Sequence, residues 1–206
     1  MKLIFASRNL STWSLRPWLT LKQAGLPFEE VLIHLNRSTT RMEILKYSPS
    51  GWVPCLIDGD TLVWDSLAIC EYAAELVPSL LPSDKKARAE VRSVSAEMHS
   101  GFALLRHTLQ MNIQAPLQRL NLSSEVAAEV ARIVAIWENC RSRYADRGPF
   151  LFGPFTFADA MFAPLVWRFQ TYCIDLPEAS RLWTKTMLAL PAMQEWRQGA
   201  LDEPAS

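Results

Sequence analysis

The chain has 206 residues, half of them hydrophobic, which suffices to bury a core in one compact domain or in two small ones. Its 21 basic residues balance 21 acidic ones, so no net charge draws it toward nucleic acid or an anionic membrane. No apolar run reaches the length of a membrane span, and residues 8–16 interrupt the apolar start before a signal peptide could form. We therefore predict a cytoplasmic protein with a small-molecule partner and no nucleic-acid or membrane partner.

The first 80 residues alternate between strand-like and helix-like patterns. Short apolar runs predict strands, and apolar residues at helical spacing predict the helices between them. Asp58 and Gly59 suit a tight hairpin turn. The predicted elements are a strand at 2–6, a helix at 14–25, a strand at 28–35, a helix at 39–47, a hairpin at 54–64 and a helix at 66–77. Helices interleaved with the strands of one small sheet give an α/β domain.

The rest of the chain carries helical patterns only. Pro78 and Pro82 bracket the change, and a proline at this point stops the preceding helix. Helix-length segments follow at 85–109, 123–145, 153–172 and 191–201. The predicted fold class is α/β plus all-α, with domains at 1–78 and 85–206 joined by a linker at 79–84.

The four cysteines are isolated from one another, and no Cys-x-x-Cys pair or histidine at ligand spacing accompanies them. They indicate neither a metal site nor a disulfide framework. Because cysteine is often interior, we expect buried free thiols at Cys55, Cys70, Cys140 and Cys173.

Two short segments at the starts of predicted elements are candidates for ligand binding. Pro54 follows Val53 at the head of a strand, either as a simple strand-start proline or in a cis bond that turns the Val53 N–H and C=O outward. Asp65 and Ser66 precede a helix, either as caps alone or as part of a site where the first-turn amides attract a carboxylate. Together, an exposed backbone edge and an anion-binding helix start would hold a small peptide with a free amine and carboxylate.

Three segments carry a family resemblance that extends over essentially the whole chain. Residues 48–56, SPSGWVPCL, match a Pro-x-Gly-x-Val-Pro turn, and residues 65–72, DSLAICEY, match a Glu/Asp-Ser-x-Ala-Ile-x-x-Tyr pattern. Residues 155–168 match a Ser/Thr-x-x-Asp box. Jointly they resemble the cytosolic glutathione transferases, and residues 9–30 are most similar to the serine-type theta and zeta classes and a bacterial branch near them. The resemblance implies a thioredoxin-like N-terminal domain, an all-helical C-terminal domain, glutathione as co-substrate and a homodimer.

The resemblance also implies which residues bind glutathione. Val53 would pair with the cysteinyl backbone and precede a cis Pro54, while Asp65 and Ser66 would hold the γ-glutamyl end. With Trp52 and Pro54, the predicted glutathione-binding set is Trp52, Val53, Pro54, Asp65 and Ser66. Trp52 occupies the place where many relatives carry a polar or basic residue that helps to hold the cofactor. The glycyl carboxylate is then left without an obvious charged partner.

The box at Thr156 and Asp159 is expected to be structural. A hydroxyl three residues before an acid forms a reciprocal helix N-cap. We therefore leave both residues out of the site and expect Asp159→Ala to harm folding rather than binding.

The hydroxyls near the first helix are candidates for thiol activation. Pro17 predicts that this helix does not begin before about Trp13, which leaves Ser11 and Thr12 just outside its start and Ser14 at or inside it. A thiol held there meets a hydroxyl donor and the positive end of a helix, and both lower its pKa from about 8.5. Alignment with the zeta pattern favours Ser11 as the catalytic residue, and alignment with theta favours Thr12.

The first helix of the second domain is expected to line the acceptor site. At helical spacing, one face of residues 95–112 carries a lining that would suit a hydrophobic electrophile and is equally typical of a core or a dimer seam. We assign no role to His99 or Arg106, which lie off that face. The residues on the face are Glu97, Gly101, Leu104, Leu105 and Thr108.

The predicted function is a glutathione S-transferase whose thiolate attacks a hydrophobic electrophile or a peroxide. One alternative is a glutathione-dependent isomerase of maleylacetoacetate type, which leaves glutathione unconsumed. The other is a non-catalytic binding module that keeps the fold without activating a thiol.

Overall fold

The computed structural model describes residues 1–35 and 37–204, and its first part is built on a four-stranded sheet. In the order β2-β1-β3-β4, β1 runs parallel to β2 and antiparallel to β3, and β4 is antiparallel to β3. The strands are β1 (Lys2–Ala6), β2 (Glu29–Ile33), β3 (Cys55–Asp58) and β4 (Thr61–Val63). The predicted order of strands and helices in this part is confirmed.

Helices cover the sheet and make up the remainder of the described chain. The N-terminal part contains α1 (Thr12–Gln23), α2 (Thr40–Leu45) and α3 (Ser66–Leu76). A 3-10 turn at Pro78–Leu80 spans the predicted boundary between the first domain and the linker, and a second 3-10 turn lies at Ala145–Arg147. The later helices are α4 (Lys85–Ser100), α5 (Ala103–Thr108), α6 (Ser124–Tyr144), α7 (Phe157–Thr171), α8 (Glu178–Ala189) and α9 (Pro191–Leu201). The predicted fold class, an α/β part followed by an all-helical part, is confirmed.

Helix α1 packs against both parts of the molecule. It contacts α3 within the N-terminal part and α7 and α9 within the helical part. Trp18 of α1 is fully buried and meets the Trp196 ring of α9 at 5.0 Å between centroids. Phe5 of β1 lies 5.9 Å from the same ring. One continuous hydrophobic core therefore runs from the sheet through α1 into the helical part.

Two expectations for the helical part were wrong. Residues 85–109 do not form one helix, because α4 ends at Ser100 and Phe102 takes a left-handed conformation with φ 63° before α5 begins. The sequence reading also missed α8, whose pattern lies between two segments that were identified. The consequence of the break is that residues on either side of Gly101 do not share a helical face.

The start of α7 is a closed polar structure, as the Thr156 and Asp159 box predicts. The Thr156 N–H and Oγ1 donate to Asp159 Oδ2 at 2.9 and 3.1 Å. Asp159 Oδ1 accepts from the Leu151 N–H and from Trp183 Nε1, both at 2.9 Å. Burial raises the pKa of Asp159 against the effect of these bonds. This carboxylate joins a loop and two helices inside the core.

All four cysteines are free thiols. Cys55, Cys70 and Cys140 are buried as expected, whereas Cys173 is only partly buried. Burial raises the pKa of the Cys70 and Cys140 thiols to about 12, so these two are poor nucleophiles at neutral pH. Within the described ranges, no helix combines the length and the apolarity needed to cross a bilayer.

Candidate active site

A cavity of about 360 Å³ opens where the N-terminal part meets α4. The N-terminal end of α1, the turn before β3 and the N-terminal end of α3 supply most of its walls, and the last turn of α4 supplies the rest. Its lining residues are Trp13, Ser50, Trp52, Val53, Pro54, Trp64, Asp65, Ser66 and His99. All five residues that the sequence assigned to glutathione binding are therefore brought together here.

The turn before β3 presents free backbone to the cavity. The Val53–Pro54 bond is cis, as expected from the resemblance. No hydrogen bond of the Val53 N–H or C=O is found in the part of the chain that the structure describes. Trp52 beside it is 72% exposed, and its N–H donates to Ser50 Oγ at 3.1 Å. The turn thus offers one donor and one acceptor to an extended peptide.

At the start of α3, the N-cap carboxylate accepts backbone hydrogen bonds, whereas the hydroxyl of the next residue has no hydrogen-bond partner in the described chain. Asp65 is the N-cap residue, and its Oδ1 accepts from the backbone N–H of Leu67 and Ala68 at 3.0 and 3.4 Å. Ser66 is fully buried, and its hydroxyl has no hydrogen-bond partner among the described residues. The Trp64–Asp65 bond is also cis. A buried hydroxyl without a partner at a cavity wall is a ready contact for a ligand carboxylate.

His99 reaches the same wall from the last turn of α4. Its Nε2 lies 2.9 Å from Asp65 Oδ2, and its ring meets Trp13 edge-on at 5.3 Å between centroids. Burial lowers the pKa of His99, opposed by Asp65 and reinforced by Arg16 and Arg106. The imidazole therefore spends more of its time neutral than an ordinary histidine does, with Nε2–H donating to the carboxylate.

From the sequence, a solvated or capping histidine explains His99 as well as a catalytic one does, so it was assigned no role. With α4 ending at Ser100, the residues chosen for the acceptor face diverge, and Leu104 and Leu105 lie on α5 instead. Gly101 directly before a left-handed Phe102 was the local signal for that break.

Two arginine side chains pack against Trp13, one of the residues that line the cavity. The guanidinium carbons of Arg16 and Arg106 lie 4.3 and 4.6 Å from the centroid of the Trp13 ring. Arg16 is only 1% exposed, and its Nε and Nη1 have no partner in the described ranges. Burial lowers the pKa of Arg16 well below its ordinary value, with a further contribution from Arg106. The region beside Trp13 is therefore positive and poorly hydrated.

The two candidate catalytic residues, Ser11 and Thr12, directly precede Trp13 in the chain but are not among the residues that line the cavity. Ser11 is the N-cap of α1: its Oγ accepts from the Ser14 N–H at 3.3 Å and donates to Ser14 Oγ at 2.8 Å. Thr12 is the first helical residue, not a residue outside the helix as expected. Its hydroxyl makes no hydrogen bond within the described chain, and the side chains of Ser11 and Thr12 are only 8% and 7% exposed.

Ser14 links the cap of α1 to strand β1. It lies in the first turn of α1, where its Oγ also accepts from the Ala6 N–H at 3.1 Å. The start of α1 is thereby tied to the end of β1. Among the described residues, no group of three His, Cys, Asp or Glu side chains stands where it could hold a metal ion.

Family models match most of the chain. Residues 10–76 match the N-terminal domain of glutathione S-transferases, and residues 121–199 match their C-terminal domain. The maleylacetoacetate isomerase of Rattus norvegicus is 31% identical over 204 residues, which cover 91% of this chain and 87% of that protein. The chain belongs to the glutathione S-transferase family.

Other similarities agree with this membership. Glutathione S-transferase Z2 of Arabidopsis thaliana is 28% identical over 94% of this chain and 89% of its own length. A solved maleyl pyruvate isomerase, described as a bacterial zeta-class enzyme, superposes with a TM-score of 0.75, 24% identity and full coverage of both chains. A glutathione transferase homologue from Burkholderia, solved with bound glutathione, gives a TM-score of 0.74 at 22% identity and 98% coverage of both chains. These two structures share the fold.

Proposed function

We propose that this protein binds glutathione in the 360 Å³ cavity and activates its thiol for attack on a small electrophile. The observation that carries the proposal is the meeting of three features at one cavity. They are the free backbone of Val53, the unpartnered hydroxyl of Ser66 at the start of α3, and the start of α1 behind Trp13. Each feature is suited to a different part of a γ-glutamyl-cysteinyl-glycine peptide.

The peptide is held by complementary groups along its length. The Val53 N–H and C=O pair with the cysteinyl backbone as a short stretch of β-sheet. The Ser66 hydroxyl, at the positive end of α3, receives the γ-glutamyl carboxylate, and Asp65 receives the ammonium group. Trp52 and Pro54 line the cavity on either side of Val53. The cysteine side chain then points toward the start of α1.

The thiolate is stabilised by the N-terminal end of α1 together with one hydroxyl. Hydrogen bonding favours Thr12 for this task, because its hydroxyl is uncommitted whereas that of Ser11 donates to Ser14. Ser11, favoured by the zeta alignment, remains the alternative. Lowering the thiol pKa by two requires roughly 2.7 kcal/mol, which one charge-assisted hydrogen bond and a helix-dipole contribution together supply.

An ultraviolet titration of bound glutathione from pH 5 to 10 tests the proposal. We expect a thiolate band well below the pKa of about 8.5 of a free thiol, and its loss in Thr12→Val or in Ser11→Ala names the hydroxyl responsible. Ser124→Ala, a hydroxyl in the first turn of α6, is the matched control. Bound glutathione that ionises like free glutathione would identify a non-catalytic binding module instead.

A second candidate function is isomerisation of a maleyl-type diacid. It is supported by the near-full-length relative named maleylacetoacetate isomerase and by the buried, incompletely paired Arg16 beside Arg106 and Trp13. A carboxylate of the acceptor placed beside Trp13 would offset these desolvated cations. Addition of the thiolate to a cis double bond, rotation and release of the thiolate would regenerate glutathione.

Product analysis separates the two candidates. With a cis-enedioate acceptor, an isomerase forms the trans isomer while the concentration of free glutathione stays constant. A transferase consumes one glutathione per molecule of electrophile. Turnover of a neutral hydrophobic electrophile with no turnover of the diacid would reject the isomerase.

We further infer that the protein acts in the cytoplasm, as a homodimer, in detoxification of small electrophiles. The supporting observations are the family membership and the apolar surface left around the cavity mouth, where Trp52 and Trp64 are exposed. Sedimentation equilibrium of the purified chain tests the dimer, and a mass of one chain at micromolar concentration would reject it.

A further inference from the structure

The loop before α1 is clamped by the C-terminal end of the chain. The Glu203 carboxylate accepts from Ser7 Oγ and from the Arg8 N–H, both at 2.5 Å, and from the Asn9 N–H at 3.3 Å. These donors are three consecutive residues, and they lie nearly 200 positions away in the sequence. Three donors on one carboxylate define the position of the loop closely.

The clamp continues from Glu203 to the candidate catalytic residues through Ser7. While its hydroxyl proton goes to Glu203, Ser7 Oγ accepts from the Leu10 N–H at 3.2 Å, and the Ser7 carbonyl accepts from the Ser11 N–H at 2.8 Å. Ser11 caps α1, and Thr12 begins it. The position of the α1 start is therefore coupled to Glu203 through one intervening residue.

Other contacts fix the Glu203 segment itself. Gln114 Nε2 donates to the carbonyls of Ala200 and Glu203 at 2.9 and 2.8 Å. The Gln114 N–H donates to Asn9 Oδ1 at 3.0 Å, so the loop after α5 touches both partners of the clamp. Trp196 Nε1 of α9 donates to the Arg8 carbonyl at 2.8 Å. The carboxylate is thus presented by a rigid support.

The charge of Arg8 does not take part in this clamp. Its guanidinium pairs with Glu30 and lies over the rings of Phe5, Trp18 and Trp196. No ion pair of Glu203 is found within the described chain, and its loop partners are two backbone N–H groups and one hydroxyl. A carboxylate whose three donors all come from one loop acts on the geometry of that loop.

We propose that Glu203 is a positioning residue for thiol activation, holding the loop at residues 7–10 so that the start of α1 faces the cysteine of bound glutathione. The proposal rests on the proposed function, since it assumes that the thiol is ionised there. Glu203 touches neither substrate nor cofactor. It acts only through Ser7 and the backbone of the loop.

The test compares Glu203→Gln with the native protein in the same ultraviolet titration and in steady-state kinetics. The amide directs N–H groups at a loop that supplies only donors, so the start of α1 shifts. We expect the pKa of the bound thiol to rise by about one and kcat to fall about 10-fold. The KM for glutathione should change less than about two-fold, because Val53 and Ser66 are not connected to the clamp.

Two further variants make the result specific. Glu195→Gln carries the same change on α9, where Glu195 accepts from Lys22 on the surface at 2.7 Å, and it should leave the thiol pKa unchanged. Ser7→Ala removes the next link and should reproduce the rise, while the double variant should show less than the sum of the two effects. Ser7→Ala also serves as the test if Glu203→Gln does not fold.

The outcomes separate this inference from the proposed function. A native thiolate band that Glu203→Gln leaves unchanged, even with a lower melting temperature, would assign Glu203 a structural role alone and overturn the inference. Absence of the band in the native protein would overturn the proposed function, and the inference with it. A raised thiol pKa in Glu203→Gln and Ser7→Ala, and not in Glu195→Gln, supports it.

Discussion

The starts of α3 and α7 use the same kinds of side chain, an acid and a hydroxyl, for different purposes. At α7 the Asp159 carboxylate receives four hydrogen bonds and the Thr156 hydroxyl donates one of them, so every polar atom of the pair has a partner. At α3 the Ser66 hydroxyl has no partner in the described chain, and it lines a cavity. Spare hydrogen-bonding capacity, rather than residue type, therefore separates the start of α3, a candidate ligand contact, from the closed start of α7.

The largest expected effect is at the satisfied helix start. We expect Asp159→Ala to lower the free energy of unfolding by about 3 to 5 kcal/mol, because it leaves buried donors of Leu151, Thr156 and Trp183 without an acceptor. Urea denaturation measures this. Asp175→Ala, which removes an exposed partner of Arg119, is the control and should leave stability unchanged. A stable Asp159→Ala protein that no longer binds glutathione would contradict the comparison.

The unsatisfied helix start should respond in the opposite way. Ser66→Ala removes a hydroxyl that makes no bond in the free protein, so stability should change by less than about 0.5 kcal/mol. Glutathione affinity should fall about 10- to 100-fold, the value of a hydrogen bond to a charged group. Isothermal titration calorimetry measures the affinity. Ser95→Ala, another buried hydroxyl without a partner but away from the cavity, should bind glutathione normally.

At the start of α1, a hydroxyl with hydrogen-bond partners, that of Ser11, lies next to one without a partner in the described chain, that of Thr12. Ser11→Ala removes the N-cap and should cost about 1 kcal/mol of unfolding free energy. Thr12→Val keeps the shape and removes a hydroxyl without a bond, so its stability should match that of the native protein. Chemical denaturation of the two variants gives the difference, and equal losses would show that the Thr12 hydroxyl also has a structural partner.

The effect that we expect to be smallest concerns the contact between the His99 imidazole and the Asp65 carboxylate. Because burial holds the pKa of His99 below its ordinary value near 6.5, the unfolded chain takes up a proton first as pH falls. The contribution of His99 is thus present above pH 6.5 and is lost as pH falls through the folded pKa. The stability of His99→Gln, measured by denaturation at several pH values, should fall less steeply there than that of the native protein. Identical curves for the two proteins would contradict the assignment.

What the sequence predicted correctly depends on local chemistry. The helix cap formed by Thr156 and Asp159 follows from two residues three positions apart. The cis bond before Pro54 was implied by the family resemblance, because the proline alone is also compatible with a simple strand start. The order of strands and helices in the first 80 residues likewise follows from periodicity within each segment. The five residues assigned to glutathione binding converge because the fold places their segments at one cavity.

The features that the sequence did not predict involve the end of a helix or contacts between residues that are far apart in the sequence. The helical pattern continues past Ser100, whereas α4 ends there and Phe102 takes a left-handed conformation that no periodic pattern records. His99 lines the cavity from the last turn of α4, a position that depends on how α4 packs against the N-terminal part. The contact of Glu203 with Ser7 joins residues near opposite ends of the chain, and neither residue carries a local signal for the other. The hydrogen bond from the Ser11 hydroxyl to Ser14 was also not predictable, since capping and catalysis favour the same residue type.

The central place of α1 has a consequence for how the chain can be divided. Its Trp18 is covered by α9, and its other contacts are shared between the sheet, α3 and α7. A fragment ending at the linker would therefore expose a large aromatic surface, and the helical remainder would lose the element around which it packs. The chain has an α/β part and an all-helical part, but both pack against α1. We therefore expect them to unfold together, in a single calorimetric transition.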